Sequence, residues 1–147
     1  MAKFKFRLET LQKVREATRD ERRVALAEAF RAAELLAAMR EELAAEEAEL
    51  RDVQRSAAAG RYLDVNRLVE AQRYELLLRS RGEELAKQAA LLAAEIERRR
   101  RTLVEADRDV RVLDKLDERQ RREHARRQAR LEARQLDEAA LVKWRSR

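Results

Sequence analysis

The chain has no cysteine and no proline in 147 residues, and only two glycines, Gly60 and Gly82. Without cysteine there are no disulfides, no thiolate nucleophiles and no thiolate metal ligands. Without proline, nothing forces a break in a helix. Two isolated glycines cannot build the glycine-rich loop that cradles a phosphate. Aromatic residues make up 4% of the chain, too few to interleave with basic runs as a base-stacking platform. No apolar run approaches the roughly 20 residues that span a bilayer. Residues Met1 to Leu11 alternate charged and apolar side chains and have no signal-peptide core. These features predict a cytoplasmic protein. The single histidine, His124, sits among arginines on a polar stretch. A metal site needs several ligands, so a solvated surface imidazole is expected. No catalytic constellation is visible, which predicts a non-enzyme with no metal and no cofactor.

What the chain has is charge and helix formers. Charged residues account for 44% and hydrophobic residues for 45%, much of that Ala and Leu. Such a composition with a near-3.5 period reads as coiled coil or long helix. So charged a chain could also be disordered, but the lack of proline and the regular seam weigh against that. The formal net charge is +6, and Arg dominates Lys. That balance suits acidic protein surfaces, lipid headgroups or nucleic acid without choosing among them.

The seam is clearest from Leu85 to Leu113. Apolar residues fall at Leu85, Ala89, Leu92, Ile96, Leu103, Ala106, Val110 and Leu113, with Arg99 in the one vacancy. These are the a and d positions of a coiled coil. A helix with one narrow apolar stripe needs a partner helix, and the first part of the chain supplies it. A seam in steps of four and three runs from Phe4 through Leu8, Leu11, Arg15, Thr18, Arg22, Ala25, Ala29, Ala32, Leu36, Met39, Leu43, Glu46 and Leu50 to Val53, apolar at eleven of its fifteen positions. The pattern stops at Ser56 to Arg61. Gly60 is the expected helix stop, entering a left-handed C-cap, and Asp64 the expected N-cap of the next helix.

The prediction is an all-α fold, one coiled-coil domain over 1–147 forming an antiparallel hairpin. Helix 1 spans about 4–58, the turn about 59–64 and helix 2 about 65–142. Folding at residues 60 and 61 sets Leu43 opposite Leu78, Leu36 opposite Leu85, Ala29 opposite Leu92 and Leu8 opposite Leu113. It also sets Arg22 opposite Arg99, and both are expected to snorkel outward. Phe4 would pair near Asp117, leaving 118–147 as an overhang of roughly 45 Å if helical. Residues 119–134 hold seven Arg against two Glu, a local net charge of 7 − 2 = +5. A basic, weakly apolar helix without an intramolecular partner is either frayed or occupied by something else. Trp144 near its end is either an interface anchor or a loosely packed tail residue.

Three stretches resemble the flagellar FliJ family in order and position. Phe4-Lys5-Phe6-Arg7-Leu8-Glu9-Thr10-Leu11 is similar to its opening pattern. Val112-Leu113-Asp114-Lys115-Leu116-Asp117-Glu118-Arg119 is similar to its second signature, and Leu136-Asp137-Glu138-Ala139-Ala140 to its C-terminal one. The resemblance implies a cytoplasmic part of the flagellar type III export apparatus, similar to the central stalk of rotary ATPases and peripherally associated with the inner face of the membrane. It implies as partners the hexameric export ATPase, the large export-gate membrane protein (FlhA-like), the ATPase regulator and export chaperones, with no nucleic acid and no direct membrane insertion. It further implies that Phe4, Phe6 and Leu8 stitch the N-terminal end to the region of Leu113 and Leu116. Arg119, Arg122, Arg126 and Arg127 would then be the partner contacts, with Trp144 beyond them. The alternatives are a plain coiled-coil adaptor binding through the hairpin's outer face, and a basic hairpin that binds nucleic acid with steep salt dependence.

Overall fold

The computed structural model describes residues 3–145 as two long helices, α1 (Glu9–Ala59) and α2 (Val65–Arg145), with no strand among the described residues. Runs of Ala, Leu, Glu and Arg favour helix throughout, and rows of i, i+3 and i, i+4 ion pairs line the outer faces. The residues divide into two compact units, one joining the chain up to Arg22 with Leu103 onward, the other Arg23–Thr102.

The break between the helices lies at Gly60–Asp64. Asp64 caps α2: its carboxylate accepts from the Arg67 amide at 3.1 Å and its carbonyl from the Leu68 amide at 3.1 Å. Gly60 does not take the expected left-handed conformation, since no described residue has a positive φ. A Cβ at Gly60 would lie 3.3 Å from the Tyr62 carbonyl oxygen. Glycine therefore gives the turn room rather than handedness.

In the Arg23–Thr102 unit the helices run antiparallel. Arg99 Nη1 donates to the Ala25 carbonyl, Tyr74 Oη donates to Glu46 at 2.9 Å, and Gln54 Nε2 donates to Glu75 at 3.0 Å. Leu50, Ala71 and Leu78 form a buried cluster with Leu43 packed on it. Leu85, Ala89, Leu92, Ile96 and Arg99 of α2 are all half-buried. Leu43 packs on the cluster that holds its expected neighbour Leu78, and the Tyr74–Glu46 bond is centred on Gly60, but other contacts are displaced by about a turn. The Ala25–Arg99 and Glu46–Arg81 pairs are centred on Tyr62 to Asp64, not on residues 60 and 61. Leu36 lines one groove with Ala89, Leu92, Ala93 and Ile96, a turn beyond the expected Leu85. A seam that recurs every three or four residues stays inward after a one-turn slide, so apolar spacing alone does not fix it. In α1 the inward face keeps Ala29, Leu36 and Leu50, but Leu11 and Met39 are exposed, and Gln12 and Ala33 turn inward. Ala32 and Ala33 are equally apolar, so the sequence did not separate the two companion rows.

Arg22 is exposed as expected, but Arg99 does not snorkel outward. It is partly buried, bonded to the Ala25 carbonyl and to Glu95 at 2.7 Å. Arg98 donates twice more to Glu95, at 2.8 and 2.6 Å. Arg98 first, and Arg99 with it, hold the Glu95 carboxyl down to about 2. Its folded pKa is thus below its unfolded value, so its contribution is complete above the unfolded pKa and lost as pH falls towards 2. The melting-temperature gap between wild type and Glu95→Gln should be constant above about pH 5 and close on acidification from there. A gap independent of pH would remove this assignment.

Gly82 lies inside α2, where an added Cβ would meet Leu43 Cδ2 at 3.4 Å, an ordinary contact. Glycine in a helix interior costs about 1 kcal/mol relative to alanine. Gly82→Ala should therefore raise the melting temperature by about 3 °C. A lower midpoint would mean that Leu43 cannot yield.

Candidate functional site

The unit holding both ends of the described chain carries the candidate site. The helix expected from Phe4 begins only at Glu9, where the Glu9 amide bonds to the Phe6 carbonyl at 3.3 Å. Ahead of it, exposure alternates: Lys3, Lys5 and Arg7 face solvent, Phe4 and Leu8 are half-buried, and Phe6 is 5% exposed. Over residues 3–6 that is the period of an extended chain, and Arg7 and Leu8 then form the turn into α1. The charged–apolar alternation of the opening residues was the signal for it.

The extended segment changes what α2 can lack. An extended residue advances about 3.3 Å against 1.5 Å in a helix, so Phe4 reaches past its expected neighbour Asp117. Its ring lies 5.5 Å from the His124 ring, tilted by 59°. The Arg121 guanidinium stands over the Phe4 ring, 5.5 Å from its centroid. Arg121 Nε donates to both Asp117 oxygens at 3.0 and 3.1 Å, which raises the arginine's pKa, the Asp117 hydrogen bond being the main cause. His124 is therefore half-buried against an aromatic ring, not a freely solvated imidazole. The stretch without a partner does not start at 118. Val110 and Leu113 are buried and Leu116 is half-buried on the same helix. Gln12 Nε2 donates to Asp114 at 2.6 Å, and Arg15 pairs with Asp109 at 3.1 Å.

Further along, the arginines fall into two sets. Arg119 pairs with Glu123 at 3.0 Å, and Arg122 pairs with Glu118. Both pairs are exposed and lie a turn apart on one helix, a modest support of a few tenths of a kcal/mol each. Arg126, Arg127, Arg130 and Arg134 are exposed and make no ion pair with another described residue. Every residue from 129 to 145 is exposed, Trp144 among them. Arg121, absent from the expected contact set, is the arginine that engages the N-terminal segment.

No group of three or more His, Cys, Asp or Glu residues among those described could hold a metal. No helix among them is long and apolar enough to cross a membrane. The described residues form a protein of two long helices, antiparallel within the Arg23–Thr102 unit. The family model for the flagellar FliJ protein matches residues 4–147, and the chain belongs to that family. Membership makes it a component of the flagellar export apparatus, in a structural family that is not a known enzyme family. No curated protein and no solved structure matches the chain.

Proposed function

We propose that the chain is a non-enzymatic coupling factor of flagellar export. In this reading the C-terminal part of α2 projects as a stalk into the hexameric export ATPase. The rest of the chain links that ring to the export gate, chaperones and the ATPase regulator, at the inner face of the membrane. The observation that carries it is the uniform exposure of residues 129–145 next to the unpaired Arg126 and Arg127. A helix that exposes Leu131, Leu136, Leu141, Val142 and Trp144, with no other described residue covering them, is suited to a partner. Unpaired guanidiniums can meet a partner's carboxylates without first giving up an ion pair of their own. Arg119, Arg122, Arg126 and Arg127 supply the charge, and Trp144 the aromatic anchor.

Arg126→Glu with Arg127→Glu should abolish stimulation of the export ATPase while leaving helix content unchanged, because neither side chain supports an intrahelical ion pair. Stimulation equal to wild type would overturn the assignment. Reversing Arg119 and Arg122 is a poorer test, since it also breaks their ion pairs with Glu123 and Glu118.

A further inference from the structure

The turn between the helices exposes apolar side chains that the reading above does not use. Tyr62 is 85% exposed, Leu63 61% and Val65 58%. They are consecutive or nearly so and lie at the end of the Arg23–Thr102 unit, where the chain reverses. Arg61 and Arg67 flank them, exposed and without an ion pair. The only acid within the turn, Asp64, is engaged in capping α2. An aromatic ring with a polar tip, two aliphatic side chains and two guanidiniums without an ion pair among the described residues thus share the turn and the first turn of α2.

We infer that this turn docks peripherally on an anionic lipid surface, Leu63 and Val65 entering the acyl boundary, Tyr62 at headgroup level and Arg61 and Arg67 on phosphates. Tyrosine prefers that interface because its ring is apolar and its hydroxyl stays wet. Basic residues near an anionic leaflet add attraction. Charge complementarity selects this occupant over a second copy of the chain, whose turn carries the same Arg61 and Arg67 and would repel it. Three side chains also fall well short of the roughly 800 Å² per partner that a stable protein interface buries. The contact is superficial and needs no membrane-crossing helix.

The test is co-sedimentation of the full chain with vesicles of phosphatidylglycerol and phosphatidylethanolamine, and with phosphatidylcholine vesicles. The basic part of α2 could also be drawn to anionic vesicles, so the deciding variant changes no charge: Tyr62→Ser with Leu63→Ser. It should weaken binding to anionic vesicles about tenfold, with circular dichroism unchanged, and wild type should not bind phosphatidylcholine. Unchanged binding by the variant assigns the lipid contact to α2 and overturns the proposal. So does the absence of wild-type binding, or equal binding to both vesicle types. Concentration-dependent dimerisation abolished by the variant would give the turn to a second copy and overturn it as well. None of these outcomes depends on ATPase stimulation.

Discussion

Leu78→Ala should destabilise the protein by about 3 kcal/mol, within the range for leucine truncation in a packed core. Leu78 is 1% exposed and is the centre of the cluster with Leu50, Ala71 and Leu43. Truncation removes its transfer free energy and leaves a void. A groove lined by Leu50, Leu78 and Gly82 already lies alongside, so the void opens towards solvent and its neighbours relax into it. That places the expected cost below the upper end of the range. The adjacent Leu77 is an internal control: it is exposed, so Leu77→Ala should change stability by less than about 0.5 kcal/mol. Urea titrations of the two variants followed by circular dichroism read the contrast. Equal losses at 77 and 78 would show that the inward face of α2 has been misassigned.

The second large effect is at Phe6, buried although it lies outside any helix. Burying a phenylalanine side chain contributes about 2 kcal/mol or more. The segment ahead of α1 can peel away without unfolding either helix, so the loss is capped by the docking free energy of that segment. Phe6→Ala should therefore act locally. It should free Phe4, and with it remove the ring that lies against His124. His124 is the only histidine, so its imidazole proton resonances report this without ambiguity: they should move to random-coil positions in Phe6→Ala while the overall helix signal holds. A shift-neutral variant would mean that Phe4 is held by Arg121 and His124 alone.

The two-helix architecture was legible because charge, alanine and a repeated apolar step all point to the same structure, and because Asp64 stands where a cap is needed. The alignment of the helices was less so. Sliding one helix by a turn returns apolar residues to the inside, and Ala32 and Ala33 offer no preference between rows. The start of α1 was misjudged for a related reason: Phe4, Leu8 and Leu11 fit a three-and-four spacing, while Phe4, Phe6 and Leu8 fit a spacing of two, and only Phe6 separates the readings. The reach of the opening residues to His124 follows from that choice. The inward turn of Arg99 was hidden because its acceptor is a main-chain carbonyl, which every residue carries. The exposed arginines beyond Arg122 were visible in composition; what they dock against is not written in their spacing.

Because the apolar stripe tolerates translation in steps of a turn, the few directional bonds across the Arg23–Thr102 unit act as detents. Tyr74 on Glu46 and Gln54 on Glu75 each find their carboxylate at this alignment. Removing both would leave a smooth rail, on which neighbouring alignments differ little in energy and the turn at Gly60–Asp64 must absorb the mismatch. Two side chains, rather than the length of the stripe, thereby choose which rung of the ladder the hairpin occupies.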